Sequence, residues 1–173
     1  MTAADRSRVV VIGVGNEYRR DDGIGPEVLM RLREHLATGP DAAAETTVRL
    51  VCSDGEPAGM IEAWTGASLA VVVDAVVADP PSPGRLHRFA IGRDDASGAQ
   101  TVSSHGLGLR DAIGLAAALG RMPEHLVVHA VEAGDVGHGV GLTPAVSAAA
   151  AALTGTVLRE VRAALGRSRE QPR

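Results

Sequence analysis

Two stretches of the chain are apolar without interruption, and the segments between and after them are apolar at helical spacing. Residues 9–13 (VVVIG) and 69–73 (LAVVV) are short β-branched runs of the kind that fill strands buried on both faces. Behind the first, Gly25-Pro26 opens a pattern in which Val28, Leu29, Leu32 and Leu36 share one helical face, and the helix stops near Gly39-Pro40. Residues 46–52 are β-rich and predict a second strand, 58–64 a short helix, and 69–74 a third strand ending in Asp74. Pro80, Pro81, Pro83 and Gly84 then leave no room for a crossover helix, so the short strand at 85–91 is expected to run antiparallel to its neighbour. A polar loop at 92–104 precedes a helix over 106–119, which carries Leu109, Ile113 and Ala116 on one face. Residues 126–131 read as the fifth strand. Thr143-Pro144 then supplies a cap and a first-turn proline for a long helix striped by Val146, Ala150, Leu153, Val157 and Val161. Strand and helix alternate. The expected fold class is therefore α/β: a three-layer α/β/α sandwich around a five-stranded, mostly parallel twisted sheet with one antiparallel strand. It forms one domain across residues 1–173, with 1–8 and 166–173 as flexible tails.

Composition narrows what such a domain can do. A net charge of -4 gives no cationic face for nucleic acid or anionic lipid. All 17 basic residues are arginine, which excludes Schiff-base lysine chemistry and any lysine-dependent phosphate loop. One cysteine, Cys52, can form neither an internal disulfide nor a thiolate metal cage, and inside a strand it reads as a small core residue. The apolar run at 9–14 is too short to span a membrane and has no signal-peptide cleavage region, so a cytoplasmic protein that does not insert into membranes is expected, and as a monomer.

Ligands in open α/β sheets bind outside the carboxyl ends of the strands, so the polar residues that follow each strand are the candidates. They are the loop from Gly13 to Gly25, Ser53-Asp54-Gly55, Asp74 itself, and Ser103-Ser104-His105-Gly106. Asp22, Asp74 and His105 form an oxygen and nitrogen donor set that can hold a divalent cation and leave positions open for water or substrate. Of the adjacent aspartates, Asp21 is read as a helix capper or surface residue and Asp22 as the site residue. Taken alone, His105 reads as a solvent-exposed histidine at a helix start, and its companions give it the site role. Gly13 and Gly15 are expected to make a tight turn of unusual φ. Asn16 reads equally as a turn residue bonding its own backbone and as a brace for the loop. A dinucleotide fingerprint is incomplete because Tyr18 stands where a third glycine is needed, so no nucleotide cofactor is expected. His125 and His129 would share one face of a strand yet lie far apart, and His138, in a glycine-rich loop, is a candidate for peptide contact. Neither HExxH nor G-x-S-x-G is present.

In order along the chain, GVGNEYRRDDGIGPEV (13–28), SDGEPAGM (53–60), VVVDAV (71–76), SSHGLGL (103–109) and GLTPAV (141–146) resemble the hydrogenase maturation protease family, over nearly the whole length. The resemblance implies an endopeptidase that removes a C-terminal extension from the large subunit of a nickel-iron hydrogenase after nickel insertion. It implies Asp22, Asp74 and His105 as the residues that contact metal and act in cleavage, and Asp54 as a further acidic position supporting the site or the substrate. The nickel would be carried by the precursor. Asp22 stands where many members have Glu, one methylene longer, and residues 17–20 are more polar than in some members. Two other classes stay open: a protein of this fold that binds the nickel precursor without cutting it, and a small-molecule hydrolase with its own metal.

Overall fold

The computed structural model describes residues 9–38, 47–92 and 107–170. Strand β1 (Val9–Val14) leads through a 3-10 turn (Arg20–Gly23) into α1 (Ile24–Thr38), and β2 (Val48–Ser53), α2 (Pro57–Trp64) and β3 (Leu69–Val76) follow. Then come β4 (Leu86–Gly92), α3 (Leu107–Ala118), β5 (His125–Glu132) and α4 (Pro144–Glu170). The five strands form one sheet in the order β2-β1-β3-β5-β4. β1 is parallel to β2 and β3, with Val11 opposite both Leu50 and Val71, and β3 is parallel to β5. β4 joins antiparallel to β5, the orientation expected where prolines replace a crossover helix.

Because side chains alternate across a strand, each buried run feeds two cores. Val9, Val11, Val71, Val73 and Val127 pack with Val28, Leu32, Leu153 and Val157 beneath α1 and α4. Val10, Ile12, Ala70, Val72 and Val128 pack with Met60, Trp64, Ile113 and Ala116 beneath α2 and α3. All six residues of β1 are buried, which is why its sequence lacks the alternation of a half-exposed strand. Two helices on each face make the three layers.

Three details differ from the sequence reading. β3 runs two residues beyond Asp74, so this aspartate sits inside the strand rather than ending it. α4 is helical to Glu170, so residues 166–170 continue the helix where a flexible tail was expected. Cys52 is exposed, not core, because β2 is an edge strand with neighbours on one side only. Among the described residues no helix is long and apolar enough to cross a membrane.

Candidate functional site

The chain leaves β1 toward β2 on one side and later returns to β3 on the other, so the carboxyl ends of β1 and β3 flank the point where the strand order reverses. In open α/β sheets that crevice is where ligands bind. Asp74 lies there: Gly13 is paired with Val73, and Asp74 is the next residue, opposite Ala130 on its other side. It is 8% exposed. Burial pushes its carboxyl up to about 7, the nearby charge of Asp22 adds to the rise, and a hydrogen bond from the Ala75 backbone opposes it. Asp22 is thus near enough for its charge to act on Asp74. No cation pairs with Asp74 among the described residues, and a buried carboxyl beside a second carboxylate suits a divalent cation. Among the described residues no group of three His, Cys, Asp or Glu side chains converges for a metal, and the third predicted member, His105, lies outside them.

The loop after β1 is folded so that it presents Asp22. Gly15 has φ +129°, and a Cβ there would fall 1.9 Å from the Asp22 carbonyl oxygen, so only glycine fits. Gly13 is needed for a different reason than expected. It sits in β1 without a positive φ, and a Cβ on it would come 2.5 Å from the Gly25 carbonyl oxygen, where α1 touches the strand. Asn16 is a turn residue, the first of the two roles read for it. Its side-chain oxygen accepts from the Tyr18 N–H at 2.9 Å, and its own N–H donates to the Asp22 Oδ2 and to the Asp22 carbonyl, each at 3.2 Å. The first is an Asx turn, and the others, made by the main chain, reach the Asp22 carboxylate and carbonyl.

Asp21 is neither a capper nor a surface residue. Its exposure is 0%, and no side chain caps the 3-10 turn that contains it. A 3-10 turn has about three residues per turn, so adjacent side chains diverge, one inward and one outward. The Asp21 Oδ1 accepts from the Thr143 N–H at 2.7 Å. Its Oδ2 accepts from the Gly134 N–H at 2.8 Å, the Asp135 N–H at 2.9 Å and the Thr143 hydroxyl at 2.9 Å. Burial acts to raise this carboxyl, but the bonds from Thr143, Asp135 and Gly134 outweigh it and hold it below its ordinary value. Thr143 therefore spends its hydroxyl on Asp21, while its carbonyl accepts the first helical bond of α4 from Ser147. No local pattern links residue 21 to residue 143, so sequence reasoning missed this contact.

The other candidates sit apart from the pair. Asp54 is exposed and accepts from the Glu56 N–H at 3.1 Å, and Glu56 in turn caps α2 by accepting from Ala58 and Gly59. His138 is exposed on the segment 134–143. His129, read only as a strand residue, is buried and bonded at 2.9 Å to Glu160, which also takes a bond from Arg88. Those two bonds overcome the effect of burial and hold Glu160 below its ordinary pKa. Beside the 3-10 turn, a cleft of about 310 Å³ is lined by Glu17, Arg20, Pro26, Met30, Val140 and Leu142.

Known proteins share this arrangement of sequence and fold. The chain is 30% identical over 136 residues to the hydrogenase expression/formation protein HupD of Thiocapsa roseopersicina, an alignment covering 75% of this chain and 57% of that one. It thus spans little more than half the length of that relative. It is 28% identical over 143 residues to the hydrogenase 2 maturation protease of Escherichia coli, covering 82% of each. The solved structure of the hydrogenase maturating endopeptidase HybD from E. coli matches with a TM-score of 0.71 over 90% of this chain and 92% of that one. At 23% identity that likeness speaks to the fold. The model of the HycI hydrogenase maturation protease family matches residues 43–160, a stretch that includes Asp54, Asp74 and His105 and begins beyond Asp22. On that match, the chain belongs to the hydrogenase maturation protease family.

Proposed function

We propose that the protein is an endopeptidase that removes the C-terminal extension of a nickel-iron hydrogenase large-subunit precursor once nickel is in place. The observation that carries this reading is buried Asp74, within range of the Asp22 charge, at the β1/β3 crevice of a chain in this family. A buried carboxyl raised to about 7 without a cation is one that a positive centre would hold in its charged form, so with nickel present Asp74 is able to orient the attacking water through its carboxylate oxygens. His105 completes the set. It stands two positions before α3, whose first turn is packed so tightly that a Cβ on Gly108 would lie 2.1 Å from the Gly55 carbonyl in the loop after β2.

In this reading nickel is the substrate's cargo, and when present it supplies a positive centre that draws the cleavage site to the carboxylates. Two carboxylates and an imidazole, without a thiolate, bind such an ion weakly on their own. Full binding energy is therefore realised only with a loaded precursor, which makes the site a checkpoint on maturation. Asn16 braces Asp22, Asp54 orders the neighbouring loop, and exposed His138 meets the polypeptide. The protein acts as a cytoplasmic monomer.

Incubating the purified protein with nickel-loaded precursor tests the reading by mass spectrometry. A large subunit shortened at its C-terminus is expected, and a stable complex with no shortening would overturn it in favour of a binding protein.

A further inference from the structure

We propose that Asp21 is a positioning residue for the site: by fastening the 3-10 turn to the segment 134–143, it fixes where the adjacent Asp22 carboxylate stands. The proposal rests on the reading of Asp22 and Asp74 given above.

Among the described residues, the direct hold on the Asp22 side chain is a single bond from the Asn16 N–H at 3.2 Å. The hold on its neighbour is broader. Asp21 donates its N–H to the Asp135 carbonyl at 2.9 Å and accepts four bonds through its carboxylate. On the preceding side, the Arg20 N–H donates to the Gly139 carbonyl and the Gly139 N–H donates to the Tyr18 carbonyl, both at 2.9 Å. Main chain and side chain are thus pinned together at residue 21. A planar peptide with a fixed Cα spacing passes that restraint to the Cα of residue 22.

Energetics point the same way. A buried carboxylate is unfavourable until donors surround it, so its presence here ties the turn to the segment that supplies them. A carboxylate alone offers acceptors on both oxygens and no competing donor, which is what three converging N–H groups and a hydroxyl require. An amide would aim its NH2 at one of those donors. The segment so gathered also borders the cleft beside the turn, through Val140 and Leu142. One carboxylate therefore sets both the site residue and a wall next to it.

Thr143→Val tests this at the far end of the clamp. It removes the hydroxyl bond, keeps the branched shape and leaves the backbone N–H bond to Oδ1. With nickel-loaded precursor, well below the unfolding temperature, kcat is expected to fall about tenfold with KM unchanged, since small displacements of reacting groups cost rate rather than affinity. Thr143→Ser, which restores the hydroxyl, should return kcat to within about twofold of wild type. Hydrogen exchange at the Asn16 amide, which donates to Asp22, should quicken in Thr143→Val and recover in Thr143→Ser. Asp21→Asn should lower kcat further, by about a hundredfold, where it folds. Unchanged kcat with only a lowered melting temperature would overturn the proposal, and so would a change in KM alone, or a kcat loss with Asn16 exchange unaltered. Wild type and Asp74→Asn run in the same assay keep the two ideas apart. No cleavage by wild type, or full cleavage by Asp74→Asn, defeats the catalytic reading and this proposal with it, whereas normal controls with an unaffected Thr143→Val defeat the clamp alone.

Discussion

Asp21 and Asp22 are bonded neighbours whose surroundings differ in sign: one carboxylate sits among donors, and the other faces a second carboxylate. The first is built for stability. Asp21→Ala would leave three N–H groups and a hydroxyl without their acceptor, and a loss of at least about 3 kcal/mol is expected from urea denaturation. The second belongs, in the proposed reading, to the site, and its neighbour Asp74 shows what burying a carboxyl costs. Its folded carboxyl titrates near 7 whereas an ordinary aspartate titrates near 4, so the folded state binds this proton more tightly than the unfolded chain. Stability from this group is present below about pH 4, falls as pH rises, and is lost once pH passes about 7. At about 1.4 kcal/mol per pKa unit the loss is on the order of 4 kcal/mol. Asp74→Asn should therefore abolish processing yet melt at a higher temperature than wild type at pH 8, the gap closing toward pH 4; a lower melting temperature at pH 8 would contradict the assignment. At this scale the sequence was informative about position: an acidic residue after an apolar run reads directly, and Asp74 does stand at the carboxyl end of the sheet near Asp22, although β3 continues two residues past it. It was silent on Asp21, whose partners are more than a hundred residues away.

At the scale of elements, close backbone contacts decide where the helices begin. α1 meets the end of β1 through Gly13 and Gly25, and α3 meets the loop after β2 through Gly108 and Gly55. Gly108→Ala sets a Cβ 2.1 Å from a carbonyl oxygen that cannot rotate away, so a cost of about 1 to 3 kcal/mol is expected in thermal melts. Gly114→Ala in the same helix meets nothing within 4 Å and should stabilise by up to about 1 kcal/mol, so equal effects at the two positions would contradict the packing. α4 is tied to the sheet by Glu160, which bonds His129 of β5 and Arg88 of β4. Its lowered pKa means the stability it adds is present above the ordinary glutamate value and lost as pH falls through the folded one. Glu160→Gln should thus cost about 1 to 2 kcal/mol at pH 7, a cost that shrinks as pH falls through the folded carboxyl's lowered pKa, as urea denaturation at a series of pH values would show. Strand and helix types were legible because apolar runs and helical stripes record burial directly. The prolines at 80, 81 and 83 disclosed the antiparallel β4. Strand order was not legible, so Cys52 read as core although β2 lies at the edge.

For the molecule as a whole, the order β2-β1-β3-β5-β4 places a crevice between β1 and β3, with Asp22 in the loop after β1 and Asp74 within β3 beside it. In the proposed reading this assembles a donor set from residues 52 positions apart, and α3 begins beside the same carboxyl edge. A set of this kind, poor in soft ligands, suits an ion that arrives with its own protein partner better than one kept in residence. The isolated protein is therefore expected to carry little or no metal after purification, which elemental analysis would check; stoichiometric zinc needed for activity would place it among conventional metalloproteases. His105→Ala should be as damaging to processing as loss of Asp74, while His125→Ala should leave processing nearly unchanged; equal losses at both histidines would mean that the site is misplaced. The central claim is that cleavage waits for nickel. Offering purified protein the same large-subunit precursor with and without nickel, and reading the mass of its C-terminus over time, tests that claim most directly. The account predicts shortening of the nickel-loaded form only, and efficient shortening of the nickel-free form would contradict it.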